Sequence, residues 1–217
     1  AEELGAEPAA ATTALYRQIA ADVGSPEVPY LPQARRRQPS PLLEGTGPLP
    51  LVGRIRERAA LVGYLERAIG DHGGLVLLEG EAGAGKTRLL QEVARDAEWR
   101  GMEVSWGRGR ELADAPPYGP LVEALRGGLS PLRAGQLAQL AQGTRLREAS
   151  QLLPELAEWL PGLPPHIALG PEQERARLLE ALTRIVLALG QIAPHLLILE
   201  DLHWADEATL EALIHLA

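Results

Sequence analysis

The chain has 217 residues, enough for one sizeable domain or one domain with part of another, and its 46% hydrophobic and 23% charged composition is that of an ordinary globular protein. It has no cysteine, which excludes disulfides, thiol catalysis and Cys-ligated metals. A formal net charge of -8 disfavours extended contact with a phosphate backbone, and the one basic run, Arg35-Arg36-Arg37, reads as a solvated linker.

The first 24 residues predict an amphipathic helix. Pro8 suits its first turn, Gly24 its end, and Thr12, Leu15, Tyr16, Ile19 and Val23 fall on one face. One such helix cannot bury its stripe alone and must pack on something before residue 1 or on the later domain, so it reads as the tail of a truncated domain. Residues 25–50 hold Pro26, Pro29, Pro32, Pro39, Pro41, Pro48 and Pro50 and predict an interdomain linker. No basic stretch followed by an apolar one opens the chain, so no signal peptide is expected.

From Arg54 a helical pattern resumes, with Ile55, Ala59, Val62, Leu65 and Ile69 as its expected buried stripe and Gly70, Gly73 and Gly74 as its end. Leu75-Val76-Leu77-Leu78 is a continuous apolar run bounded by glycine, the pattern of a strand buried on both faces. A helix is expected after Lys86-Thr87, with Leu89, Leu90, Val93, Ala94 and Ala97 on one side, and a second strand at Met102 to Trp106. Residues 116–190 read as helical, broken at Pro131, Pro154, Pro161 and Pro164-Pro165. The most regular helix runs from Pro171 to Leu189, with Leu178, Leu179, Leu182, Ile185, Val186 and Leu189 repeating at three and four. Leu196 to Leu199 is another buried-strand run, and a final helix starts near Asp206. The region Leu178 to Leu199 is interrupted by Glu180, Arg184, Gln191, Pro194 and His195, too polar to span a membrane, so a cytoplasmic location is expected.

Two stretches carry chemistry. Gly80-Glu81-Ala82-Gly83-Ala84-Gly85-Lys86-Thr87 fits G-x-x-x-x-G-K-[ST], a phosphate-binding loop, here between an expected strand and an expected helix. Its glycines let successive N–H groups wrap a phosphate, and the helix dipole points at the same place. Lys86 is expected on the β- and γ-phosphates of ATP, Thr87 on Mg²⁺, and Arg88 beside them. The second stretch is the strand Leu196–Leu199 ending in Glu200-Asp201, where a carboxylate at the C-terminal end of a strand holds the metal through its water shell and a second acid orients water. The usual order is Asp first. Here Glu200 takes the metal position and Asp201 the hydrolytic one, so nucleotide binding is expected to survive but fast turnover is not. Asp206 is a candidate helix cap. His203 and Trp204 are candidates either for the phosphate end of the site or for packing.

The stretch Leu51-Val52-Gly53-Arg54, the phosphate loop, and Glu200-Asp201-Leu202-His203-Trp204-Ala205-Asp206 together resemble the AAA/STAND ATPase domain of large bacterial regulators. Pro116-Pro117-Tyr118 and Leu152 to Leu156 are similar to its intervening segment. The resemblance implies an α/β fold over residues 51–217: a P-loop NTPase with an ASCE-type parallel sheet in strand order 5-1-4-3-2 and flanking helices. It places Val52, Gly53 and Arg54 near the adenine. Its fourth strand would follow Ala217, so it also implies a domain truncated at its C-terminus. The segment Glu3 to Pro8 with Ala14-Leu15-Tyr16 is similar to the end of a bacterial transcriptional activator domain, an all-helical TPR-like module. Together these imply an ATP-regulated switch in a multidomain activator that reaches DNA through another domain and is able to self-associate. A working motor ATPase and a domain attached to a cyclase or kinase are the alternatives.

Overall fold

The computed structural model describes residues 53–70, 72–111 and 116–217. The helical tail, the linker and Val52 lie outside them. The elements are α1 (Ile55–Ile69), α2 (Lys86–Trp99), β1 (Glu103–Arg108), α3 (Gly119–Gly128), α4 (Pro131–Leu140), α5 (Gly143–Ala149), α6 (Glu155–Trp159), α7 (Pro171–Ile192), β2 (His195–Glu200) and α8 (Glu207–Leu216). Among the described residues no helix is long and apolar enough to cross a membrane.

β1 and β2 pair in parallel, with Glu103 opposite His195 and Arg108 opposite Glu200. Parallel neighbours need a crossover, and here the crossover is the whole helical run α3 to α7. The glycines at the end of α3 let it lie directly on β1. A Cβ on Gly128 would come within 2.7 Å of the His195 ring, and one on Gly127 within 3.2 Å of Ser105 Oγ. Beneath them Ser105 Oγ and His195 Nε2 share a 2.8 Å hydrogen bond that joins the two strands near their N-terminal ends.

Two cores result. The larger lies in the helical lobe, where Leu121, Leu125, Leu137, Leu146, Leu153, Leu156, Leu182 and Ile185 are fully buried. Prolines punctuate the lobe as expected. Pro131 and Pro171 open α4 and α7 at their first positions, where a missing N–H costs nothing, and Pro154 caps α6. Ser130 adds a side-chain cap to α4. The smaller core joins Leu65 of α1 to Leu89, Val93 and Ala97 of α2 and to Met102, with Leu78, Val104 and Leu196 against it. Arg58 of α1 clamps Asp96 of α2 through two bonds of 2.7 and 2.8 Å.

Two expectations are corrected. Of the predicted α1 stripe only Leu65 is buried; Ile55 and Ile69 are exposed, and the packed face is instead Leu61, Leu65 and Ala68. The helix packs mainly on α2, so one narrow face suffices. Leu75 to Leu78 forms no strand, and Val76 is exposed. A strand exists through its ladder, and among the described residues the β1–β2 ladder is the one formed. Leu78 still packs against the α2 core, so the segment runs beside the sheet without joining it.

Candidate functional site

The phosphate loop takes its shape from its glycines. Gly83 and Gly85 adopt φ of 78° and 83°, the left-handed region that a side chain would strain. Gly85 is also the N-cap of α2. No side chain caps α2 and no acid stands in its first turn, whereas Asp206 caps α8 and Ser130 caps α4. With no side chain on it, the N-terminus of α2 offers the positive end of its dipole to an anion. Lys86 Nζ folds back on the loop, donating to the carbonyls of Gly80 (2.7 Å) and Glu81 (2.9 Å). The loop is exposed at Glu81, Ala82, Gly83 and Thr87.

Arg54, expected near a base, reaches the same loop. Its Nη2 donates to the Ala84 carbonyl at 3.1 Å, while Nη1 pairs with Glu57 at 2.7 Å. Gly53 precedes it in the left-handed region, with φ of 80°. Arg88 pairs with Glu92 along α2.

The acids lie at the C-terminal end of β2. Glu200 is nearly buried, its side chain 11% exposed, while Asp201 is 41% exposed and leaves the strand with φ of 54°. Arg108, in register with Glu200 on the neighbouring strand, pairs with both: Nη2 lies 3.6 Å from Glu200 and Nε 3.1 Å from Asp201. One guanidinium thus bridges two carboxylates whose charges would otherwise repel. Glu123 of α3 fixes the segment from behind, accepting from the Arg108 backbone N–H (3.1 Å) and from Arg110 (2.9 Å). Two glycines make this close meeting possible. A Cβ on Gly107 would collide with the Pro120 carbonyl, and one on Gly109 with the Asp201 carbonyl.

Beyond Asp201 the chain makes a 3-10 turn, Leu202–Trp204, and then α8. Asp206 caps α8 as expected, accepting from Thr209 N–H at 2.9 Å. His203 and Trp204 are both exposed and lie ring against ring, 5.0 Å between centroids.

The reading of the sequence missed Arg108 and its glycines. The signal was present as Gly107-Arg108-Gly109-Arg110, a cation flanked by glycines at the end of an expected strand. Nothing in the sequence set the register that places it opposite Glu200.

The residues fit a magnesium–polyphosphate group. The left-handed glycines and the uncapped α2 present backbone donors to phosphate, and the strand end offers hard carboxylate oxygens, which suit Mg²⁺ rather than a soft metal. A glycine-shaped loop opening a helix that packs on a parallel sheet ending in acids is the pattern of the P-loop nucleotide-binding class, with an α/β fold. Within that class the chain belongs to the AAA ATPase domain family, whose model matches residues 50–217. No curated protein and no solved structure matches it.

Proposed function

We propose that the chain is the ATP-binding switch module of a larger bacterial transcriptional regulator of the STAND type, held in one state by ATP with Mg²⁺ and released by slow hydrolysis or exchange. The observation that carries this reading is the acid pair. Glu200 precedes Asp201, and Arg108 already neutralises both. That arrangement suits slow turnover better than rapid hydrolysis, because an acid paired with a cation is a poor base for water.

Gly80 to Thr87 would hold the phosphates, with Lys86 leaving its two carbonyls for the β- and γ-oxygens. Thr87 and Glu200 would hold the metal, partly through water, with Asp201 beside them to orient water. Bound Mg²⁺ would supply neutralisation of phosphate charge. Arg54, through its bond to the Ala84 carbonyl, supports the loop from the side proposed for the base, with Val52 and Gly53 completing that side. DNA contacts would come from another domain of the parent protein, consistent with the acidic surface of this one, and self-association of the ATP form would complete the switch.

Titration of ATP–Mg²⁺ into wild type and Lys86→Ala tests the site. Loss of the charged contact should weaken binding at least tenfold, about 1.4 kcal/mol. Equal affinities overturn the phosphate-loop assignment. Steady-state hydrolysis tests the switch: many turnovers per second would make the chain a working motor instead.

A further inference from the structure

Among the described residues two that are not glycine hold a left-handed backbone, Tyr118 with φ of 61° and Asp201 with φ of 54°. Such residues are strained and persist only where their surroundings hold them. One carboxylate stands between them. Asp206 Oδ1 accepts from Thr209 N–H at 2.9 Å, and Oδ2 accepts from Thr209 Oγ1 at 2.5 Å, which completes the cap of α8. Oδ1 also accepts from the N–H of Tyr118 at 3.2 Å, a residue 88 positions earlier. The cap alone does not need that third bond.

Each side of the bond is firmly held. The Tyr118 ring is buried in the helical core, 5% exposed, and α3 starts at the next residue. Close by, Arg175 of α7 is paired with Glu211 of α8, a second tie between the lobe and the last helix. On the other side the link from Asp206 back to Asp201 is short and hydrogen-bonded. Trp204 N–H donates to the Asp201 carbonyl at 2.9 Å, and Ala205 N–H to the Leu202 carbonyl at 3.1 Å. The Asp201 carbonyl in turn sits where a Cβ of residue 109 would lie. A shift of Asp206 therefore passes to Asp201 with little slack to absorb it.

We propose that the Tyr118–Asp206 hydrogen bond is a clasp through which the helical lobe sets the position of Glu200 and Asp201, so that lobe packing and metal–nucleotide binding are coupled. Asp206 is then a positioning residue as well as a cap. A ligand or partner that moves α3 or α7 would be read at the acids without touching the phosphate loop. The inference rests on the nucleotide site proposed above.

The test uses the full chain and measures ATP affinity in saturating Mg²⁺ and in EDTA, with the affinity in Mg²⁺ divided by that in EDTA as readout. Asp206→Ala should lower that ratio at least about fivefold, the lower end of measured couplings between sites. Asp206→Asn should restore it, because the amide oxygen can accept both N–H bonds. Thr209→Val, which removes only the Oδ2 bond, should leave it at the wild-type value. A wild-type ratio in Asp206→Ala overturns the clasp. Should that variant fail to fold, amide exchange in wild type decides. In residues 116–121 the prolines at 116, 117 and 120 leave the amides of Tyr118, Gly119 and Leu121. The Tyr118 amide should exchange at least about fivefold more slowly with ATP–Mg²⁺ than with ATP in EDTA; equal rates overturn the clasp. No ATP binding by wild type under either condition refutes the nucleotide site itself, whereas binding with an unmoved ratio refutes the coupling alone.

Discussion

Replacing Gly109 by alanine isolates the contact on which the acid pair depends. The added Cβ would run into the Asp201 carbonyl oxygen, with its carbon at 3.1 Å and the Ala205 nitrogen at 3.3 Å. These are backbone atoms of a hydrogen-bonded turn, and Gly109 N–H is itself bonded to the Glu200 carbonyl at 2.9 Å. No flexible side chain can move aside, so relief requires the ends of β1 and β2 to part. Overpacking of this kind costs about 1–3 kcal/mol. For a chain of this length that is a fall in Tm of about 2–12 °C. Gly190→Ala supplies the opposite case. That glycine lies inside α7 with nothing within 4 Å of a new Cβ, so alanine should stabilise by about 0.5–1 kcal/mol and raise Tm by about 1–4 °C. Thermal unfolding followed by circular dichroism reads both. A Gly109→Ala protein that melts at or above the wild-type temperature would refute the claim that this approach is closed to side chains.

Three further outcomes are expected. Arg108→Ala should cost no more than about 1 kcal/mol of stability, since the guanidinium is half exposed, but should raise Mg²⁺ affinity several-fold by leaving the acids without their built-in cation; calorimetric titration with Mg²⁺ checks it. Leu182→Ala empties a site that is 1% exposed at the centre of the helical lobe and should cost about 2–5 kcal/mol, read from the urea midpoint at unchanged m. Burial, and next the nearby Arg133, push the His195 imidazole below its ordinary value of 6.5, with Glu103 opposing. The unfolded chain therefore binds the proton first. This contribution to stability is intact above about pH 6.5 and is lost as pH falls toward the folded value, by no more than about 1.4 kcal/mol per pH unit for one proton. His195→Gln should flatten that part of the stability–pH curve, checked by urea melts between pH 5 and 8 on the order of one unit apart.

What could be read from the sequence was whatever depends on near neighbours. The glycine turn before Lys86, the helix from Lys86, the strand ending in Glu200, the proline-opened helices and the Asp206 cap each depend on a few adjacent residues, and each stands where expected. What could not be read depends on partners far along the chain. Leu75 to Leu78 has the composition of a buried strand, but composition does not supply a neighbour to pair with. The α1 stripe failed because several apolar residues lie around that helix and only tertiary contact, chiefly with α2, selects among them. Arg108 escaped notice because its meaning lies in a register set by a strand beyond the entire helical lobe. The same holds for Tyr118, whose backbone N–H finds its acceptor 88 residues later.

The separation of the two strands also has a consequence for how the molecule assembles. Ser105 and His195, bonded to each other across the sheet, are 90 residues apart, and helices α3 to α7 lie between them. Closing so long a loop as disordered chain costs about 0.6 kcal/mol more with each doubling of its length. Helices form within microseconds, whereas long-range parallel pairing is slow. The lobe therefore has reason to compact first and bring the strands together, so that the acidic end of the site comes into being only after the helices have folded. A nick or a destabilising change deep in the lobe would then appear as a nucleotide site that never forms, although no residue of the phosphate loop had been altered.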